Sequence, residues 1–145
     1  MAEVRAGDWG TEEYWRERIS RYLAHKVQPQ PKEALSTRVA FVCAEGDRTV
    51  GLIAGHLTRR LGCKGELEWI SVRSQYRSRG IASELLHRMA EWFVAQRALR
   101  VCVDVEPSNT TARRFYARHG ATDLKPHWMV WEDLSTILET HPNQS

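Results

Sequence analysis

Glu68-Trp69-Ile70-Ser71-Val72-Arg73-Ser74-Gln75-Tyr76-Arg77-Ser78-Arg79-Gly80-Ile81-Ala82-Ser83-Glu84-Leu85-Leu86 reads as a strand, a short basic turn and a helix, and this succession decides the fold. The turn Arg77-Ser78-Arg79-Gly80-Ile81-Ala82 has the form R-x-x-G-x-A. Its physics is that of an anion site. The first N–H groups of a helix have no intrahelical partner, and the helix dipole places partial positive charge there. Gly80 reaches backbone angles that other residues avoid and admits a ligand close to the main chain. Arg77 and Arg79 add donors suited to phosphate oxygens, so a pyrophosphate fits the turn.

The apolar row Ile81, Leu85, Met89 and Trp92, widened by Ala82, Leu86 and Phe93, predicts a helix ending near Arg97. Residues 100–105 follow as a strand, stopped by Pro107. Ser108 or Asn109 then caps a helix over 110–119, with Gly120 at its C′ position. Residues 121–124 and 128–131 read as a closing strand pair, and a short helix is expected near 134–138. Upstream, residues 38–44 and 49–58 form a hairpin about the turn 45–48, and 66–73 is its third strand. Gly51 and Gly55 inside the hairpin signal a bulge or a close approach. A helix is expected over 11–25, a break at Pro29 and Pro31, and a short helix across 32–35. The crossover from 66–73 through a helix to 100–105 makes those strands parallel neighbours or near neighbours.

With 145 residues, 42% of them hydrophobic, the chain is read as one domain, residues 1–145, with a real core. A net charge of +3 is too weak to imply nucleic acid. No apolar run spans a bilayer or forms a signal segment, so a soluble, cytoplasmic protein is expected, with no membrane partner. Cys43, Cys63 and Cys102 are widely spaced, which argues against a disulfide framework and a zinc site. Cys43 and Cys102 are expected as buried thiols and Cys63 as an exposed one. His119 and His127 have no partner at metal-ligand spacing and are expected at the surface; no metal is expected. A homodimer stays open.

The order of elements, the turn at 77–82 and the later Asn109-Thr110-Thr111-Ala112-Arg113-Arg114-Phe115-Tyr116-Ala117-Arg118-His119-Gly120 resemble the GNAT superfamily of acetyl-CoA-dependent N-acetyltransferases. The pattern [Q/R]-x-x-G-x-[G/A] matches at Arg77, Gly80 and Ala82. The pattern N-x-x-A-x-x-F-Y-x-x-x-G matches at Asn109, Ala112, Phe115, Tyr116 and Gly120. The resemblance implies an α/β (mixed α+β) fold, with a mixed, mostly antiparallel sheet and helices on both faces. It implies acetyl-CoA as donor, with Arg77, Ser78, Arg79, Gly80, Ile81, Ala82 and Ser83 around the pyrophosphate. Ile70, Ser71 and Val72 would pair with the pantetheine arm where strands 66–73 and 100–105 splay apart. Asn109 and Phe115 would contact the arm, and Tyr116 would protonate the departing thiolate.

Transfer to an amine needs a deprotonated amine, a polarised thioester carbonyl and a stabilised thiolate. Tyr116 suits the last, since a phenol near pKa ~10 matches a thiolate; packing beside Phe115 is its other reading. Glu68 is the candidate base, in a stretch similar to the L-E-G-x-x-V of aminoglycoside 6′-N-acetyltransferases, with Trp69 in place of the glycine. Asp104, Glu106, His56 and water stay open as rivals, and a solvated strand residue is the plainer reading of Glu68. Trp128 and Trp131 are read as core or as acceptor wall, Arg113 and Arg114 as a solvated face or as phosphate contacts. The expected reaction is direct attack of a small-molecule primary amine on the thioester. The alternatives are a protein N-terminal or lysine acetyltransferase and a non-catalytic CoA-binding module.

Overall fold

Among the described residues six strands form one sheet, its central strands β2 and β3 buried on both faces, and a helix crossover sets the one parallel contact. The computed structural model describes residues 34–139. The strands are β1 (Ala34–Glu45), β2 (Arg48–Thr58), β3 (Gly65–Val72), β4 (Val101–Asp104), β5 (Thr122–Lys125) and β6 (Trp128–Trp131), in the order β1-β2-β3-β4-β6-β5. Helix α1 (Ile81–Ala95) joins β3 to β4, and α2 (Thr110–Arg118) joins β4 to β5. Among the described residues only β3 and β4 run parallel; every other pair is antiparallel. The segment Leu134–Glu139 forms a 3-10 helix where a short helix was expected. The expected helix over 11–25 and the proline break lie outside the described residues. No helix among the described residues is long and apolar enough to cross a membrane.

One face of the sheet carries Ile53, Leu67, Ile70, Val72, Val101, Val103, Met129 and Trp131 in a single apolar cluster with both helices. From α1 it takes Leu85, Leu86, Met89, Ala90 and Phe93, the face that the sequence row predicts. From α2 it takes Ala112 and Tyr116. Leu52, Ala54, His56, Trp69 and Ser71 alternate with these residues and are buried on the other side.

Three glycines let α1 lie close on the sheet. A Cβ on Gly51 would stand 3.0 Å from Ile81, one on Gly55 3.0 Å from Phe93, and one on Gly65 2.5 Å from the Phe93 ring. The expected bulge also occurs, as a register shift between Ala54 and Gly55. Helix α1 ends two residues before Arg97. Arg97 adopts φ +61°, and the Ala98 N–H donates to the Phe93 carbonyl at 2.8 Å, a Schellman closure with arginine where glycine is usual. Helix α2 closes in the same way through Gly120, at φ +102°.

Three local expectations are corrected. Ala34 is strand, paired with Thr58, so strand pairing overrides a helix across 32–35. Cys63 is buried, not exposed, because the 3-10 turn Arg60–Gly62 folds it against Cys102 and Val130. Cys43, on β1, is only half-buried.

A methyl group at Gly65 has no room beside the Phe93 ring. Gly65→Ala is expected to lower stability by about 2 kcal/mol, read from urea unfolding midpoints. An unchanged midpoint would show that the helix can lift off the sheet at no cost.

Candidate active site

The site begins where β3 and β4 part. They pair only at Gly65 with Val101, Glu66 with Cys102 and Leu67 with Val103. Opposite β2, Leu67 faces Gly55 and Trp69 faces Ala54, so Glu68 is the extra residue of a bulge. A bulge bends its strand and re-aims a side chain. Beyond it β3 follows β2, while the end of β4 follows β6, with the Val105 N–H donating to the His127 carbonyl at 2.8 Å. The sequence reading of two splaying strands holds, and its structural origin is the bulge.

The gap opens into a cleft of about 400 Å³. One wall is Ile70, Ser71 and Val72, the floor is Tyr76–Ser78 and Gly80–Ser83, and the far wall includes Ala112, Arg114, Phe115 and Tyr116 of α2. The Arg73 N–H donates to the Val50 carbonyl of β2 at 2.8 Å. Backbone groups alternate along a strand, so those of Val72 and Ile70 face away from β2, into the gap. The Val72 carbonyl there accepts from Arg77 Nε at 3.0 Å.

The turn is shaped for an anion by its main chain. Ser78 has φ +64° and Gly80 φ +81°, two left-handed residues just before the first residue of α1. The first intrahelical bond is Glu84 N–H to the Gly80 carbonyl at 3.0 Å. The N–H groups of Ile81, Ala82 and Ser83 therefore precede the helical ladder. Nothing lies within 4 Å of where a Gly80 side chain would start, so this glycine serves its backbone angle and leaves open space. Arg73 Nε donates to the Thr49 carbonyl at 2.7 Å, and Arg79 lies 4.9 Å from the Tyr76 ring centre, away from the cleft lining. Arg114 lines the cleft, whereas Arg113 clamps Asp123 at 2.7 Å.

Tyr116 is fully buried yet borders the cleft, set edge-on to Trp131 at 5.7 Å and to Phe115 at 5.6 Å. Packing and chemistry are thus compatible readings of this phenol. Asn109 does not line the cleft; its Oδ1 accepts from the Ala112 N–H at 3.1 Å and caps α2. Ser83 Oγ and His119 Nε2 stand 3.1 Å apart and tie the start of α1 to the end of α2. His119 is therefore half-buried rather than a surface residue, and burial, helped by Arg118, holds its pKa down. Trp131 is core, donating from Nε1 to the His119 carbonyl at 3.0 Å. Trp128 is half-buried, with Arg60 lying 5.3 Å from its ring centre.

Two of the candidate bases turn out to be neighbours. His56 Nδ1 lies 3.6 Å from Glu68 Oε2, and its Nε2 lies 3.5 Å from Glu66 Oε1. Arg60 Nε holds the same Glu66 oxygen at 3.0 Å. His56 is wholly buried, Glu66 nearly so, and the Glu68 side chain is 29% exposed. Burial pushes the Glu68 carboxyl above the usual range; His56 pulls it back and Glu66 adds to the rise. Burial acts the same way on Glu66, but its contacts with His56 and Arg60 outweigh it, and this carboxyl sits below the usual range. The rivals Asp104 and Glu106 are exposed. Glu66 and Arg60 were missed from sequence. The signal was the hairpin register, which sets His56 directly opposite Glu66.

A model of the acetyltransferase (GNAT) family matches residues 7–121. No curated protein matches the chain at the level of sequence. Among solved structures, a GNAT-family protein from Desulfovibrio desulfuricans superposes with TM-score 0.63 at 17% identity, over 82% of this chain and 77% of that one. An acetyltransferase from Thermus thermophilus gives 0.59 at 20% identity, over 80% and 71%. The PaiA N-acetyltransferase from Thermoplasma acidophilum, in complex with coenzyme A, gives 0.60 at 16% identity, over 86% and 80%. At these identities the likeness is one of fold.

The Glu68 position carries a stability cost with a definite sign. A carboxyl whose folded pKa is raised loses stability as pH climbs from its unfolded value through its folded one. Glu68→Gln is therefore expected to be more stable than the parent in urea at about pH 8, with the gap closing at about pH 4. A gap that widens on acidification would reverse the assignment.

Proposed function

Since the chain belongs to the acetyltransferase (GNAT) family, we propose that it transfers an acetyl group from acetyl-CoA to the primary amine of a small molecule, by direct attack in a ternary complex. The observation that carries this reading is the cleft itself. A left-handed anion turn, a stretch of β3 that β4 leaves uncovered and the Tyr116 phenol border one space of about 400 Å³. Each suits one part of an acyl-CoA: the N–H groups at the start of α1 the pyrophosphate, the backbone of Ile70 and Val72 the amide-bearing arm, and Tyr116 the sulfur.

In the proposed reaction the amine nitrogen attacks the thioester carbonyl. The C–N bond forms, the C–S bond breaks, and the nitrogen gives up a proton while the sulfur gains one. Glu68 is the proposed base and Tyr116 the proposed acid. An N–H of the Ile70–Val72 stretch facing the gap supplies the donor for the developing oxyanion. Asn109 caps α2 through its oxygen, which leaves its amide nitrogen and a second lone pair of that oxygen for the arm.

Thiol release from acetyl-CoA over an amine panel tests the reading. Tyr116→Phe is expected to lower kcat by about 100-fold, with the acetyl-CoA KM little changed. An unchanged kcat removes Tyr116 from the chemistry. Calorimetric binding of acetyl-CoA with no turnover on any amine, peptide N-termini included, would make the protein a CoA-binding module instead.

A further inference from the structure

Cys63 and Cys102 lie outside the acyl-CoA cleft and share a small buried cluster with Val130, apart from the main core. Topology brings them together across 38 intervening positions that no local spacing rule connects. Cys63 closes the turn after β2, Cys102 is in β4, and the two segments meet where the N–H groups of Lys64 and Gly65 both donate to the Arg100 carbonyl, at 2.8 and 3.2 Å. The Arg100 side chain turns back over the pair. Its Nη1 donates to the Leu61 carbonyl at 2.7 Å and stands 3.5 Å from Cys63 Sγ. Glu132 holds the same guanidinium through Nε at 2.8 Å and Nη2 at 3.4 Å. A second cavity of about 400 Å³ is lined by Cys63 together with Arg59, Gly62 and Lys64. Two thiols serving only as small apolar fillers need neither a cation fixed against one of them nor a cavity beside it.

We propose that Cys63 and Cys102 are a peroxide-reactive thiol pair, in which Cys63 is the nucleophile, Arg100 stabilises its thiolate and Cys102 closes a disulfide. The two sulfurs are unequal in the way such a pair requires. The Cys102 thiol, as hydrogen-bond partner, draws the Cys63 pKa down; burial opposes this, Arg100 adds to it, and Glu132 and Glu66 oppose it weakly, so Cys63 sits below the usual thiol value. Cys102 is pushed above that value, first by its bond to Cys63 and then by burial. One sulfur is therefore the better thiolate and the other keeps its proton.

The steps balance with a hydroperoxide as oxidant. The Cys63 thiolate attacks one oxygen of hydrogen peroxide: an S–O bond forms, the O–O bond breaks, and hydroxide leaves and takes up the proton that Cys63 had lost. The product is a sulfenic acid, which carries no charge to hold the proton on Cys102. The Cys102 sulfur then attacks Cys63 Sγ: the S–S bond forms, the S–O bond breaks, and the hydroxyl leaves as water with the Cys102 proton. Two thiols lose two electrons and one peroxide gains them. The bridge closes a loop over residues 63–102, which contains β3, the anion turn and α1. It fastens the start of β3 to β4 at the end where they pair and leaves the open end free.

The reduced full-length protein is treated with hydrogen peroxide at about pH 7, and its thiols are followed by alkylation and peptide mass spectrometry. Cys63 and Cys102 are expected to appear in one linked peptide pair, about tenfold faster than Cys43 is oxidised, and dithiothreitol restores both. In Cys102→Ser, dimedone is expected to trap a sulfenic acid at Cys63. Arg100→Gln is expected to slow the reaction about fivefold at about pH 7 and less than twofold at about pH 10, where the thiol ionises unaided, and Arg100→Lys restores most of the rate. Should the Cys102 variant not fold, the linked peptide and the Arg100 series in the two-thiol protein decide. Oxidation of Cys43 first, a disulfide only between molecules, or no linked peptide overturns the pair. An equal slowing at both pH values makes Arg100 a structural residue and overturns its part. Each of these results leaves acetyl transfer untouched, since neither thiol borders the acyl-CoA cleft.

Discussion

The structure depends on the limited pairing between β3 and β4. Parallel strands joined by a helix crossover would normally pair along their length, and here they do so for three residues. A bulge at Glu68 then turns β3 toward β2, and β4 continues with β6. Buried backbone groups need partners, and in the stretch of β3 that β4 leaves uncovered the Val72 carbonyl finds one in Arg77. The opening of the sheet and the presence of the cleft are one event.

The anion turn is fixed to this opening by helix packing. Gly51, Gly55 and Gly65 let α1 settle on β2 and β3 at contact distance of its own side chains. That seating sets where the helix starts, and so where its free N–H groups point. Arg77 reinforces the arrangement by holding the Val72 carbonyl, and Ser83 with His119 ties the same turn to the end of α2. Several arginines that suggested charge recognition in the sequence are structural props here. At the turn the main chain and the helix end stand together with Arg77 and Arg114, which line the cleft.

Strand β3 divides the labour between its two faces. Ile70 and Val72 join the apolar cluster under α1, while Glu66 meets His56 on the reverse side. Period-two alternation makes this division automatic, and the bulge places Glu68 between the two settings. An acid in that position is costly to bury, and its carboxyl sits above the usual range.

The amino-acid sequence by itself determined what depends on near neighbours along the chain. The helical row from Ile81 to Phe93, the left-handed glycines at 80 and 120, a cap at 108 or 109 and the strand–turn–helix order of 68–86 are all set by dihedral preference, capping and periodicity within a few residues. Two motifs at matching positions then carried the resemblance to acetyltransferases. Only the tertiary structure decided the bulge at Glu68, the burial of Cys63 against Cys102, the half-burial of His119 and the meeting of His56 with Glu66 and Glu68. Each of these depends on register or packing between residues distant in the chain. A one-residue change of register moves every side chain of a strand to the opposite face, so the acidic cluster exists only once the sheet has chosen its alignment.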